Sequence, residues 1–577
     1  MVRQAVVVPM VDLKIQADGQ TLARGGVLAR RTKRVFQVGA AHVVLLAVAL
    51  AASVGHAGGI RFEDVTAATG LAPFLKDWRL AHSASWGDLN GDGWPELYVG
   101  AFANVPRWTD GPLPNMLFIN QAGRTFSIDG QKSLQFDQRH ARSSQVLMAD
   151  LDQDGDLDMM VACHNSRDGD VPTTLWENTG SGAFREATPT RGHWPNPMGY
   201  RNVTAVDLNG DGRLDIVACD GSYGGGRNGG RGLIALVNKG GFTFEDGRER
   251  LGLPGEGMDG LGLAVGDVND DGRFDFFVAH CNRLLVSGPD GRYHEVQPGA
   301  FAKPQGPGQE NQTCGAAFGD VNGDGLLDLV TSEHGVAAQI RLYVNLGIRK
   351  GFPAFRQITR EAGLEGPLPL KGITGLPVKS GNVAIVDLDN DGLKDLWLSV
   401  VRRDADGSLQ PLVFRNAGPG SDGVPRFTRP PWDRFVSYYA AAPLADYDRD
   451  GRMDCFMAAW FAWEETPSIL FRNVTPGGHW LKVRVKGGGD RNTMGIGAVV
   501  KAYAAGKAGD PKALIQRHDI AVGTGYASSE EALAHLGLGT HAVVDVEVRW
   551  GAETRVLKAQ AADAWVTVDW TTEQNNN

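Results

Sequence analysis

Three features of this 577-residue chain predict an all-β fold. A short acidic loop is written seven times, beginning at Asp88, Asp150, Asp207, Asp267, Asp320, Asp387 and Asp446. The steps between copies are 62, 57, 60, 53, 67 and 59 residues, and a period near 60 calls for a solenoid or a propeller. Within each unit the same four strand signals recur. A small-residue strand enters the loop, as in Gly262–Asp267, and a second leaves it, as in Asp215–Cys219. A third has an apolar-Asn ending, as in Leu175-Trp-Glu-Asn178, Leu342-Tyr-Val-Asn345 and Leu470-Phe-Arg-Asn473. A Gly-rich turn then leads to a fourth, such as Phe355–Thr359. Four strands per unit make a blade, so the expectation is a seven-bladed β-propeller followed by a small C-terminal β-sandwich.

The loops carry Asp at position 1, Asp or Asn at 3, Asp at 5, Gly at 6 and an acid at 9. In chain order these ligand positions are Asp88, Asn90, Asp92 and Glu96, then Asp150, Asp152, Asp154 and Asp158. The third and fourth loops offer Asp207, Asn209, Asp211 and Asp215, and Asp267, Asn269, Asp271 and Asp275. The fifth has Asp320, Asn322, Asp324 and Asp328, and the sixth Asp387, Asp389, Asp391 and Asp395. The seventh has Asp446, Asp448, Asp450 and Asp454. Calcium takes six to eight oxygens at about 2.3–2.6 Å, and alternate side chains of a curled loop supply several of them. Gly at position 6 permits the sharp turn. A single such loop also reads as a solvated Asx turn; seven in register predict about seven Ca²⁺ sites. Asp152, Asp389 and Asp448 give loops 2, 6 and 7 a fourth carboxylate, so these three are expected to bind tightest.

Residues 1–57 read as a signal peptide or N-terminal extension. A basic cluster, Arg30, Arg31, Lys33 and Arg34, precedes the apolar stretch Val38–Val54, which ends in Gly55-His56-Ala57-Gly58. The apolar run is short for a bilayer span, so export is expected, with no membrane span after signal removal. The destination is a secreted, periplasmic or cell-surface one. Residues 58–475 form the expected propeller, 476–570 a β domain and 571–577 a disordered tail. The net charge of −10 belongs to the loops and says little about partners. The first 57 residues hold seven Lys/Arg against two Asp, leaving about −15 for the remainder. Seven Ca²⁺ would bring that to about −1. No basic tract suggests nucleic acid. Gly at 77 residues, about 13%, suits many tight turns. Five cysteines show no zinc-like spacing. One or two disulfides with an odd thiol left over fit an exported chain, and Cys281 and Cys314 are a candidate pair, because the end of one second strand should approach the next first strand.

The chain ends suggest a ring. Arg61–Leu71 resembles the fourth-strand segment Phe355–Leu364 but precedes the first loop, whereas the seventh unit has only three strands. Residues 60–66 are therefore expected to complete the last blade, which removes a sheet edge.

These residues carry a resemblance. The seven D-x-[DN]-x-D-G-x-x-[DE] loops resemble FG-GAP/VCBS repeats, as in integrin α-subunit propellers. The tail is similar to the ASPIC/UnbV domain in Gly478–Val485, Arg491-Asn492, Gly495–Ala498, Gly525-Tyr526, Leu536–Gly539 and Val546–Gly551. Together they resemble the cartilage acidic protein family. Trp550-Gly-Ala-Glu lacks the Pro usual in that family's turn. The resemblance implies the architecture more directly than an activity.

Function is sought on the face away from the loops. His82 and His140 precede first strands, and His164, His280 and His334 follow second strands. Tyr200, Tyr438, Tyr439, Trp460 and Trp463 fall in the same zone. Packing alone explains such residues, and so does a protein- or glycan-binding surface with aromatic platforms. A third reading makes His82, His164, His280 and His334 catalytic groups or transition-metal ligands, in a polysaccharide lyase or a redox protein. The expectation is a monomeric interaction module, with no local spacing of a catalytic motif.

Overall fold

The computed structural model describes residues 59–571 except 76–80, 103–113, 129–142, 164–172, 189–199, 221–232, 255–257, 297–299, 302–311, 336–338, 366–377, 380, 405, 430–433 and 460–466. The N-terminal extension, most of the tail, His140, His164, Trp460 and Trp463 lie outside the described residues. The described elements are almost wholly strands, and the α-helical turns Ala72–Leu75 and Arg248–Leu251 are four residues each.

Each unit is an antiparallel sheet in chain order. Unit 2, for example, runs Ser143–Ala149, Asp158–Cys163, Thr174–Asn178 and Phe184–Glu186. Unit 3 runs Tyr200–Val206, Asp215–Asp220, Leu233–Asn238 and Phe244–Asp246. The sequence explains the order: first and second strands are buried on both faces and are written in small and aliphatic residues. Third and fourth strands turn polar as they approach solvent. The sheets of units 6 and 7 are joined. Asp395–Arg403 has a register shift between Leu398 and Val401, and past it Val400–Arg403 pair with Arg434–Tyr438. Phe62–Asp64 pairs antiparallel with Ile469–Asn473 in the register Phe62↔Asn473.

The Asn that closes the apolar run of the third strand links neighbouring units. Asn178 Nδ2 donates to Leu89 O (2.9 Å), and Asn238 to Leu151 O (2.7 Å). Asn345, Asn416 and Asn473 likewise reach Val268 O, Val321 O and Leu388 O. In every case the acceptor is position 2 of the preceding unit's loop. Unit 4 ends its third strand in Ser287, and there Arg273 Nη2 donates to Leu208 O at 3.0 Å instead. In unit 1, Asn120 Nδ2 donates to Tyr447 O (3.0 Å) of unit 7, so the series returns to its start.

The C-terminal segment forms a three-stranded sheet, Ala534–Gly539, His479–Lys486 and Ala564–Asp569. A four-stranded sheet, Leu514–Asp519, Ala498–Ala504, Val543–Trp550 and Glu553–Ala561, shares one apolar cluster with it. The turn without Pro is a two-residue hairpin in which Trp550 faces Glu553. Gly551 has φ 60 there, the left-handed value a tight hairpin needs at its first central residue.

Between these sheets, Val522–Glu530 runs in among the first strands of the repeats. Thr204 Oγ1 donates to Val522 O, and Asn202 Nδ2 to Gly523 O at 2.9 Å. Gly525 and Leu263 exchange backbone hydrogen bonds of 2.7 and 3.0 Å. Gln145 donates to Ser528 O, and the N–H groups of Ala84 and Ala442 donate to Ala527 O and Ser528 Oγ. Tyr526 N donates to Asn382 Oδ1, while Tyr526 and Ala527 share a cluster with Cys314. The segment thus meets all seven units where their first strands converge. The approach is close enough that a Cβ on Gly262 would collide with the carbonyl oxygens of Gly525 and Cys314.

Candidate metal centres

The seven loops share one scaffold of hydrogen bonds. At position 5, Oδ1 accepts the N–H of residue 7 in every copy, at 2.9–3.0 Å. This local Asx bond holds the loop open at its tip. At position 9 the carboxylate accepts the N–H of position 2 in all seven copies, at 2.8–3.3 Å. In loops 2 to 7 its other oxygen accepts the N–H of the third strand's Asn, or of Ser287 in unit 4, as Asp158 does from Asn178 and Asp454 from Asn473. The acid at 9 therefore joins loop, second strand and third strand. At position 1, Oδ2 accepts the N–H of the position-6 Gly in loops 2 to 7.

What this scaffold leaves over is a set of carboxylate oxygens with a common focus. Asp150, Asp152 and Asp158 each place an oxygen within 4.8 Å of the others. The same holds for Asp387, Asp389 and Asp395, and for Asp446, Asp448 and Asp454. These are the three loops with Asp at position 3. Asp154, Asp391 and Asp450 fall outside the groups, which is consistent with their engagement by residue 7. Such groups could hold a metal ion. Asp88 Oδ1, Asp150 Oδ1, Asp389 Oδ1 and Asp446 Oδ1 are buried with no hydrogen-bond donor. A buried carboxylate oxygen without a donor is costly unless a cation faces it, so the residues fit a hard dication bound through oxygen.

The electrostatics agree. Burial first, and neighbouring carboxylates second in importance or lower, push these groups up. Asp158 rises to about 9, and Glu96 and Asp215 to about 8. Asp275, Asp328, Asp395 and Asp454 lie well above the ordinary carboxyl range for the same reason. Burial and then Asp154 raise Asp152 to about 6. A bound dication would reverse this by favouring the ionised forms. Some loops have protein cations nearby: Arg415 bonds Asp389 and Asp391 at 2.6 Å, and Arg472 bonds Asp448 at 2.7 Å. Among the described residues none pairs with Asp150, Asp152 or Asp158.

The C-terminal segment supplies a further layer whose contact with the loops no sequence signal marked. Thr493 Oγ1 donates to Asp150 Oδ2, and Gln516 Nε2 to Asp387 Oδ2 at 2.8 Å. Lys482 Nζ lies 3.0 Å from Asp446 Oδ2, with both side chains essentially inaccessible. Arg549 Nη2 bonds Asp267 Oδ2 at 2.7 Å and Asp270 Oδ1 at 2.6 Å. Gly478 N and Gly539 N donate to the carbonyls of Asp389 and Asn390.

The histidines do not form a described cluster. His82 is buried in the first strand of unit 1, stacked on Phe102 with ring centroids 4.4 Å apart. Its Nε2 lies 3.1 Å from the Tyr526 hydroxyl. His280 ends the strand Asp275–His280, opposite Gly260 and with φ 85. His334 lies in Asp328–Gly335, between Gln312 and Lys379. Tyr200 and Tyr439 are buried, which removes them as stacking platforms. The Cys281–Cys314 disulfide is corrected: both residues are thiols. Cys281 packs beside Met258 and reaches Val278 O, whereas Cys314 belongs to the cluster of Tyr526 and Ala527. Their side chains face different apolar clusters.

With that geometry in place, the chain's likeness to known proteins has a structural footing. Residues 88–161 and 150–218 match the FG-GAP-like repeat family, and residues 488–575 match the ASPIC and UnbV family. Over 500 residues the chain is 23% identical to cartilage acidic protein 1 of Xenopus tropicalis, covering 80% of this chain and 69% of that protein. It is 25% identical over 396 residues to cartilage acidic protein 1 of Mus musculus, covering 63% of this chain and 53% of the relative. The chain thus spans about half the length of the mouse protein. Among solved structures, the V. cholerae biofilm matrix protein Bap1 aligns with 88% of this chain and 71% of its own, at 12% identity and a TM-score of 0.30. The chain carries FG-GAP-like repeats followed by an ASPIC/UnbV segment, as its sequence suggested.

Proposed function

We propose that the chain is an exported, calcium-stabilised seven-bladed β-propeller with a small C-terminal β-sandwich, acting outside the cytoplasm as a monomeric module that binds a protein or a glycan. The ring is supported by the hydrogen bonds that run from unit to unit and by Asn120 reaching back to Tyr447. Calcium is supported by the donorless buried oxygens of Asp88, Asp150, Asp389 and Asp446. Loops 2, 6 and 7 bind most tightly by carboxylate count, loop 2 foremost because no described cation shares its acids. Among the described residues no helix is long and apolar enough to cross a membrane.

The observation that carries a binding role over a catalytic one is the course of Val522–Glu530. The chain's own backbone occupies the place where the first strands converge, and His82 is engaged there by Tyr526. A ligand is left with outer surfaces, which suit recognition better than enclosure of a reacting group. Glycan-array and immobilised-protein binding, run beside a turnover assay, tests the reading. Retention without turnover is expected. Release of unsaturated sugar products, or a transition metal retained after calcium exchange, would overturn it.

A further inference from the structure

The first aspartates of loops 2, 4, 6 and 7 are each gripped from outside the repeats. Asp150, Asp267, Asp387 and Asp446 use Oδ2 for two contacts: the Gly N–H of their own loop, and a hydrogen bond or, for Asp446, an ion pair from a side chain of the C-terminal segment. The outer donors are Thr493, Arg549, Gln516 and Lys482 respectively. In Asp150 and Asp446 the second oxygen, Oδ1, is buried and has no donor at all. One carboxylate therefore faces two ways, toward the C-terminal sheets through Oδ2 and toward the loop's focus through Oδ1.

We propose that the C-terminal sheets are the outer hydrogen-bonding layer of these divalent-cation sites, so that cation binding and docking of those sheets are thermodynamically linked. The proposal rests on the cation reading above. An outer donor fixes the orientation of a ligating carboxylate, and its loss weakens metal binding about 10–100-fold. Linkage is reciprocal: whatever strengthens cation binding through docking must strengthen docking through cation binding. With the cation gone, nothing faces the donorless Oδ1 of Asp150, the carboxylates lose their fixed orientation, and the grip of Thr493 and Gln516 slackens. Val522–Glu530, carried by the same sheets, loosens with them. The donors also differ in sign. Thr493 and Gln516 are neutral and hold the carboxylate without competing with a dication, whereas Lys482 and Arg549 bring positive charge to the same oxygen. Loops 2 and 6 are thus favoured by their outer layer, and loops 4 and 7 are partly neutralised by theirs.

The test uses the full chain, Ca²⁺ alone as the probe, and two readouts. Calcium affinity is measured by competition with a chromophoric chelator for the parent chain, Thr493→Val and Gln516→Met. Amide hydrogen exchange is followed in peptides covering 522–530 and 479–486, in calcium-saturated and calcium-stripped protein. Each variant should lose one tight site, weakened about 10–100-fold, and stripping should raise exchange in both peptides at least about tenfold. The two variants touch different loops, so misfolding of one leaves the other informative. If the parent binds no calcium, the cation reading fails and the linkage with it. If it binds calcium while both variants keep parental affinity and exchange at 522–530 is unchanged by stripping, the linkage alone is overturned.

Discussion

Asn238 shows how a single residue can connect units. Its Nδ2 donates to Leu151 O in the preceding loop and to Leu214 O in its own, while its Oδ1 accepts from Gly240 N. Replacement by Leu keeps the branched shape and leaves two buried carbonyls and the half-buried Gly240 N–H without this partner, each buried group worth about 1–3 kcal/mol when stranded. Asn238→Leu is expected to destabilise the chain by about 3 kcal/mol in denaturant unfolding, given some relaxation. Arg360→Ala breaks an ion pair whose side chains are 82% and 60% exposed and is the control, expected within about 0.5 kcal/mol. Equal effects from the two substitutions would remove Asn238 from its linking role. The recurrent apolar-Asn ending is plain in the sequence, but its role is not. The acceptor lies 87 residues away in chain order, and only the packing of one unit on the next brings it within reach. Arg273 was less legible still, since it performs the task from a different strand position.

At the scale of elements, Phe62–Asp64 lies against Ile469–Asn473 and covers what would be an outer edge. Gln410 strengthens the join by accepting from Phe62 N at 2.9 Å and donating to Phe62 O at 2.8 Å. Deleting residues 59–66 is expected to lower the melting temperature and produce concentration-dependent association by size-exclusion chromatography, because an exposed strand edge recruits another chain. A deletion variant that stays monodisperse with a parental melt would show that the edge is protected otherwise. All-β character and four strands per unit were readable because the strands are short, buried apolar runs set between acidic or Gly-rich turns. The acidic loops were equally readable, since position 1, 3, 5, 6 and 9 residue types are local chemistry. Val522–Glu530 was not. Gly525-Tyr526 marks the domain, but nothing in the segment announces its partners, which are scattered from His82 to Leu444. The outer donors Thr493, Gln516, Lys482 and Arg549 were hidden for the same reason.

For the whole molecule, the buried carboxylates tie stability to pH and to calcium in opposite directions. Asp158, Glu96 and Asp215 have folded values of about 9, 8 and 8, against about 4 in an unfolded chain. A group raised on folding binds its proton more tightly in the folded state, so it favours folding below the unfolded value. That contribution drains away as pH rises from about 4 through about 9. Calcium-stripped protein should therefore melt at a higher temperature at pH 6 than at pH 8.5. Bound calcium inverts the dependence, because coordination requires the ionised carboxylates. Each site held at 100 times its dissociation constant adds about 2.7 kcal/mol to the folded state. Calcium-saturated protein should then melt well above the stripped form at pH 8.5, with the gap narrowing toward pH 6. Melts are best compared after desalting into chelator-treated buffer, since EGTA itself loses affinity on acidification. Parallel pH profiles with and without calcium would mean that the cation does not sit on these carboxylates. A melt at pH 8.5 indifferent to calcium would remove the stabilising role of the loops altogether.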